Sequence, residues 1–257
     1  MSGPLGWLRR RRDGLRRDAG DALVYAVGDI HGRYDLLKLL LAEVAADLRA
    51  APRSLRPYLI FCGDYVDRGP SSHLVLEALV QLQARDDFLV HTLKGNHEDA
   101  FLTFLDDPQT GVFWMPNGGD ATLLAYGVHP PLPEDPPEDW TRARDALLRS
   151  MPSSHLRLLQ RLELMVVVGS YVFVHAGVRP GTPLAAQNER DLLWIREPFI
   201  SNEGPFEKIV VHGHTWIDDV PRAFDHRIGL DTGAYRTGAL TAGRFEGGEV
   251  RFLQARA

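Results

Sequence analysis

The chain is nearly free of cysteine: Cys62 is the only one among 257 residues. That excludes an internal disulfide, and with it the small stapled scaffold typical of secreted proteins. Cys62 closes the apolar run Tyr58-Leu59-Ile60-Phe61-Cys62, so a buried, inert thiol is expected there and not a nucleophile. Long apolar runs are missing as well. No stretch approaches the ~18 residues of a membrane span, and the N-terminus lacks the apolar centre of a secretion signal. A reducing, cytoplasmic setting is the expectation. Positive charge is not in excess either. The net charge is −5, so the surface as a whole does not advertise nucleic-acid binding, and nucleic acid is not expected as a partner.

The positive charge that exists is gathered at the start. Residues 1–20 hold Arg9, Arg10, Arg11, Arg12, Arg16 and Arg17 against Asp13 and Asp18, a net +4 that leaves −9 on the remainder. A basic, solvated tail is expected over 1–20, with contact to an acidic partner or an anionic membrane through Trp7, Leu8 and Leu15 as the alternative. The apolar fraction is 44%, enough for one continuous core. Residues 21–257 are read as a single domain.

Within that domain, apolar runs alternate with helical patterns. Val24 to Val27 is a short strand running into Asp29. Asp35 is placed to cap a helix whose leucines and valine recur at helical spacing through Leu48, with Pro52 and Pro57 ending it. Tyr58 to Cys62 is a second strand. Ser71 or Ser72 opens a second helix through Leu82, and Phe88 to Leu93 is a third strand. Residues 99–162 show helical patches and no strong strand, read as a helical insertion over the site. From Leu164 the pattern turns to β. Met165–Val168 and Tyr171–Val174 flank the hairpin signal Gly169-Ser170. Further strands are expected at Ile209–Val211, Arg227–Leu230, Ala239–Phe245 and Val250–Leu253, with Gly247-Gly248 turning the last pair. The expected class is α/β: a two-sheet β-sandwich flanked by helices.

Five short segments stand where strands end: Gly28-Asp29-Ile30-His31-Gly32, Gly63-Asp64-Tyr65-Val66-Asp67-Arg68-Gly69, Gly95-Asn96-His97-Glu98, His175-Ala176-Gly177 and His212-Gly213-His214-Thr215. Ligand sites on open α/β sheets gather at the carboxyl ends of strands. Brought together, these residues offer oxygen and nitrogen donors for two divalent cations. Asp29 and His31 stand two apart in one turn. Asp64 has two oxygens and can bridge. Asn96 offers an amide oxygen, and His175 and His214 offer imidazole nitrogens. The simplest assignment gives Asp29, His31 and Asp64 to one cation and Asp64, Asn96, His175 and His214 to the other. Mixed ligation of this kind suits Mn²⁺, iron or Zn²⁺ better than Ca²⁺. A bridging carboxylate would hold the pair ~3.5–4 Å apart. His212 is read as making a local hydrogen bond.

Together these motifs resemble the phosphoprotein phosphatase family of calcineurin-like metallophosphoesterases, most closely its bacterial and phage serine/threonine protein phosphatase branch. The resemblance runs from residue 24 to about 245 and implies a helix-flanked β-sandwich with two metals, commonly manganese. It also implies direct attack on phosphorus by a metal-activated water, with no phosphoenzyme. Carried onto this chain, it makes His97 the general acid, Asp67 the carboxylate that orients it, and Arg68 a phosphate-binding group beside Asn96. Leu192-Leu193-Trp194-Ile195-Arg196 resembles a bacterial segment whose arginine also reaches phosphate, which brings in Arg196. Lys94 departs from the arginine many relatives carry before Gly-Asn-His-Glu, and a point charge replaces a fork there. Asp231-Thr232-Gly233-Ala234 is read as a structural turn supporting the site. The implied substrate is a phosphorylated protein or peptide carrying phosphoserine or phosphothreonine. A symmetrical dinucleoside tetraphosphate or another small phosphoester is the alternative, and a non-catalytic scaffold keeping the fold is the reading from another class.

Overall fold

The computed structural model describes residues 16–50 and 57–257. The arginines at 9–12, with Trp7, Leu8, Leu15 and Pro52, lie outside the described residues. Two five-stranded sheets stack face to face. The first contains β1 (Leu23–Val27), β2 (Tyr58–Phe61), β3 (Leu89–Thr92), β9 (Ala239–Glu246) and β10 (Glu249–Arg256) in the order β10-β9-β1-β2-β3. The second contains β4 (Met165–Val168), β5 (Tyr171–Val174), β6 (Ile209–His212), β7 (Arg222–Ala223) and β8 (Arg227–Gly229) in the order β4-β5-β6-β8-β7. Strands β1, β2 and β3 run parallel, as do β5, β6 and β8. Their carboxyl ends therefore share one rim.

The sandwich follows from the two-residue period of extended chain. Leu23, Tyr25 and Val27 of β1, with Leu59 and Phe61 of β2, face a core shared with the helices. Val24, Ala26, Ile60 and Cys62 face the other way, into the layer between the sheets, where Tyr171, Phe173, Ile209 and Val211 meet them. Val172, Val174 and Val210 point out of the second sheet onto Leu192, Ile195 and Phe199. Strands buried on both faces need apolar side chains at every position, hence the unbroken runs in the sequence.

Helix α1 (Tyr34–Ala50) buries Leu36, Leu37, Leu40 and Val44 along one stripe. Asp35, expected as its cap, sits one residue inside the first turn and pairs with Arg33 at 2.6 Å, because the helix starts at Tyr34. Helix α2 (Ser72–Gln83) follows. The segment after β3 is helical: α3 (Asn96–Asp106), α4 (Gly111–Trp114), α5 (Gly119–Ala125), α6 (Pro137–Ser150) and α7 (Ser153–Leu159). Its Phe101, Phe104, Trp114, Trp140 and Leu147 belong to the same buried cluster as Tyr25 and Leu36. Three elements carried no readable signal: β7, α8 (Glu189–Trp194) and α9 (Ala234–Thr237). Each is six residues or shorter, below the length at which periodicity shows. Ala19 is buried, with its amide on the Gly247 carbonyl at 2.7 Å.

Candidate metal centre

The five segments meet at the shared rim. Asp29 and His31 follow β1; Asp64, Asp67 and Arg68 follow β2; Asn96 and His97 open α3 after β3. His175 follows β5, and His214 follows β6. The backbone there is under unusual constraint. Among the described residues, the non-glycine residues with left-handed φ are His31 (45°), Asp64 (53°), Asp67 (72°), Arg68 (68°) and His214 (60°). Such conformations are costly and persist where the surroundings over-determine them, which happens mostly at functional sites.

Asp64 stands at the centre with its oxygens divided. Oδ2 lies 3.4 Å from His31 Nε2 and 3.8 Å from His97 Nε2, while Oδ1 lies 3.5 Å from His175 Nε2. Two donor sets result, His31–Asp64–His97 and Asp64–His175–His214, with the donor atoms of each within 4.8 Å of one another. All five residues are buried. Two of the imidazoles are held in the tautomer that leaves Nε2 free to bind a metal. His31 Nδ1 donates to the Val66 carbonyl at 2.9 Å and His175 Nδ1 to the Cys62 carbonyl at 2.8 Å. Each Nε2 lone pair therefore faces Asp64, an orientation typical of metal-binding histidines. His175 Nε2 then meets Asn96 Oδ1 at 2.8 Å, two acceptors with no hydrogen between them. A cation between them, or the amide turned to present its NH₂, satisfies that contact, and the oxygen and nitrogen donors together fit a divalent metal.

The electrostatics agree. Burial lowers the pKa of His31 and His175 and brings His214 down to about 3, so all three stay neutral, the form that binds metal. Burial opposes ionisation of Asp64, yet His175, His97 and His31 hold its carboxyl well below the usual range. Asp29 is pushed up by burial and by the carboxylates of Asp231 and Asp64. A bound cation inverts that effect. Asp29 stands outside both donor sets. Its oxygens accept the His214 amide at 3.0 and 3.1 Å, and it lines the same cleft.

His97 and Asp67 form a tight pair, with Nδ1 2.7 Å from Oδ2. Burial alone would lower the His97 pKa, but Asp64 and Asp67 outweigh it and raise it. Asp67 is itself held by Trp114 Nε1–H on Oδ2 at 2.8 Å and the Thr122 hydroxyl on Oδ1 at 2.6 Å. Arg68 spreads its fork over the centre, with one nitrogen 3.1 Å from His31 Nε2 and the other 3.0 Å from His97 Nε2. Its guanidinium carbon lies 4.7 Å from the Tyr235 ring centre. Arg196 reaches His214 Nε2 at 3.3 Å. Lys94 does not join them; it is engaged by Asp99 at 2.7 Å and Glu189 at 2.8 Å. His212 Nδ1 is bonded to the Gly213 carbonyl at 2.9 Å, a local contact as read from the sequence.

The sequence reading missed several supports. Glu98 is fully buried and accepts four backbone amides, from Asp64, Tyr65, Val66 and Gly95, at 2.7–3.2 Å. It clamps the Asp64 turn to the start of α3, and its place in Gly-Asn-His-Glu was the available signal. Trp114, Thr122 and Tyr235 carried none. Glycine is required where carboxylates come close: a Cβ on Gly95 would lie 2.2 Å from Asp64 Oδ1, and one on Gly213 2.0 Å from Asp29 Oδ1. The whole opens into a cleft of about 720 Å³ walled by Phe113, Trp194, Trp216 and Tyr235.

Comparison with known proteins agrees with this geometry. A family model described as calcineurin-like phosphoesterase matches residues 22–234. The chain belongs to the calcineurin-like phosphoesterase family. As a metallophosphoesterase it is a hydrolase of phosphoric ester bonds, and the family uses divalent metal ions. Serine/threonine-protein phosphatase 1 of Salmonella typhimurium is 28% identical over 87% of this chain and 92% of its own length. An asymmetrical bis(5′-nucleosyl)-tetraphosphatase of Anoxybacillus flavithermus is 24% identical over 85% and 89%. Among solved structures, one described as a candidate diadenosine tetraphosphatase superposes with a TM-score of 0.63 at 20% identity, covering 91% of this chain and 94% of that one. That likeness establishes the metallophosphoesterase fold.

Proposed function

We propose that this phosphoesterase hydrolyses phosphomonoesters, with phosphoserine or phosphothreonine in protein as its substrate class and manganese as its metal. Supporting the first part is the His97–Asp67 pair at 2.7 Å, set beside the Arg68 fork at one end of the donor sets. That single arrangement provides a proton for a leaving alkoxide and a fixed cation for phosphoryl oxygens. The protein-phosphatase part is supported by the Salmonella relative.

In this reading His31, Asp64, His175 and His214, with Asp29 and Asn96, hold two divalent cations. When bound, the metals supply Lewis-acid polarisation of the phosphoryl group and a lowered pKa for the attacking water. The chain's own groups do the rest. Arg68 and Arg196 neutralise charge on the phosphoryl oxygens, and Arg68 does so with two parallel N–H groups. Asn96 orients the phosphate. His97 protonates the departing oxygen, while Asp67 fixes its ring and stabilises imidazolium. Turnover of p-nitrophenyl phosphate with Mn²⁺ by wild type, Asp64→Asn and His97→Asn tests the assignment. Undiminished rates in both variants would refute it.

A second substrate reading has an observation of its own. Phe113 is 76% exposed and Trp194 46% exposed, and both line the cleft with Trp216 and Tyr235. Exposed aromatic faces suit stacking of a nucleobase, in keeping with the tetraphosphatase relatives. Specificity constants for a phosphoserine peptide and for diadenosine tetraphosphate, measured side by side, decide between them.

A further inference from the structure

The Arg68 fork is spent on two lone pairs that the chemistry needs elsewhere. One nitrogen lies 3.1 Å from His31 Nε2, a candidate metal donor, and the other 3.0 Å from His97 Nε2. A cation on His31 takes the first lone pair. An Nε2–H on His97, which the proposed proton transfer requires, faces the other nitrogen as donor to donor. Neither bond is open to Arg68 while the site works. Nor does an anion hold the guanidinium: among the described residues no ion pair joins it to a carboxylate, although Asp231 senses its charge.

The contact that persists is aromatic. The guanidinium carbon lies 4.7 Å from the Tyr235 ring centre, inside the ~6 Å over which a ring face attracts a cation. Metal and proton leave that face untouched. Tyr235 is itself firmly placed. It rides on α9, whose first residue, Ala234, is fully buried and has its carbonyl on Arg33 Nη1 at 2.8 Å. Gly233, just before it, has φ of 66° and no room for a Cβ, which would lie 2.9 Å from the Trp216 ring. The Tyr235 ring meets Trp216 and His31 edge to face, at 6.4 and 5.3 Å between centres. Among the described residues its contacts are made by the ring and none by the hydroxyl. The Arg68 backbone is tied by its amide to the Gly118 carbonyl at 3.1 Å, so the long side chain is the part that needs a support.

We propose, on the reading of Arg68 as the group that holds phosphoryl oxygens, that Tyr235 is a positioning residue whose ring face keeps the Arg68 fork over the phosphoryl position once His31 and His97 release it. The turn from Asp231 to Ala234 then serves to deliver this ring. A guanidinium stacked flat gives up less rotamer freedom when it meets phosphate.

One test needs no turnover. The Arg68 Nε–H resonance, identified by its loss in Arg68→Ala, is expected upfield of the ordinary arginine position because of the Tyr235 ring current. The shift persists in Tyr235→Phe, disappears in Tyr235→Leu and survives loading of the wild type with diamagnetic Zn²⁺. The second test is a double-mutant cycle on a phosphoserine peptide. Tyr235→Leu lowers kcat/KM roughly two- to thirtyfold, Tyr235→Phe stays close to wild type, and in an Arg68→Ala background Tyr235→Leu costs little more. Loss of the ring-current shift on zinc loading overturns the proposal, and that arm stands even if Tyr235→Leu fails to fold. A full-sized Tyr235→Leu defect without Arg68 overturns it too, as does an equal defect in Tyr235→Phe, which puts the hydroxyl to work instead. A wild-type rate in Arg68→Ala refutes the phosphate-holding role and the role of Tyr235 with it. A large Arg68→Ala defect beside a harmless Tyr235→Leu refutes the role of Tyr235 alone.

Discussion

Replacing Asp67 with asparagine removes one negative charge from beneath His97 and changes little else. Position 67 has φ of 72°, a region that asparagine tolerates. Asp67 Oδ2 accepts from His97 and Trp114, and Oδ1 accepts from the Thr122 hydroxyl. An amide can keep its oxygen toward His97 and Trp114 and donate its NH₂ to Thr122, whose hydroxyl can reverse, so the hydrogen bonds survive. What disappears is the charge assistance of the 2.7 Å contact, about 1.5–3 kcal/mol for a hydrogen bond to an ionised group. The sign follows from His97. Its pKa is raised in the folded protein against the pull of burial, by Asp64 and Asp67. The acid form is present below that pKa and is lost as pH rises through it. Asp67→Asn lowers the pKa, so the alkaline limb of the kcat/KM profile moves to lower pH. Above the shifted limb, the rate falls by roughly ten- to a hundredfold. An alkyl ester needs that proton and p-nitrophenolate hardly does, so the defect is larger on a phosphoserine peptide than on p-nitrophenyl phosphate. Equal defects on both substrates, or a limb that stays in place, would show that His97 does not act as the proton donor.

Gly95→Ala forces a methyl against Asp64 Oδ1 and displaces the carboxylate shared by both donor sets; manganese titration followed by metal analysis is expected to show roughly 10–100-fold weaker binding. Glu98→Gln puts an NH₂ group against backbone N–H donors that the carboxylate now satisfies. A loss of about 2–4 kcal/mol is expected in urea unfolding, and an unchanged midpoint would contradict the clamp. Asp47 accepts Tyr25 OH at 2.5 Å and Arg244 Nε at 2.7 Å; burial opposes its ionisation, but these partners hold its carboxyl below the ordinary value. That contribution to stability is present above the unfolded pKa of about 3.9 and is lost as pH falls through the folded value. Asp47→Asn should therefore flatten the acid side of the stability–pH curve, and a parallel curve would refute the linkage.

Much of the sandwich was legible because buried strands write themselves as apolar runs. Tyr171–Val174 was found at the positions where it folds, and the strand read over Tyr58–Cys62 folds over Tyr58–Phe61; Gly169-Ser170 and Gly247-Gly248 turn their hairpins between registered partners. The segments bearing the candidate metal ligands were equally visible, since Asp, His and Asn directly after such runs have little structural reason to be there. Trp114 and Thr122 were invisible for the opposite reason. A tryptophan and a threonine in a helical segment look like ordinary packing residues, and their hold on Asp67 spans 47 and 55 residues of chain. The cap assigned to Asp35 falls two positions late, because a helix boundary depends on where backbone hydrogen bonding begins, here with the Leu37 amide on the Arg33 carbonyl.

By itself, the order of residues determined the alternation of elements, the strand ends and the donor types available there, because these depend on neighbours a few positions apart. The tertiary structure alone decided which way Asp64 divides its oxygens, that His97 shares a donor set with His31, and that Arg68 spans both histidines. Distances between groups far apart in the chain are set by how the two sheets pack, and no local pattern encodes them.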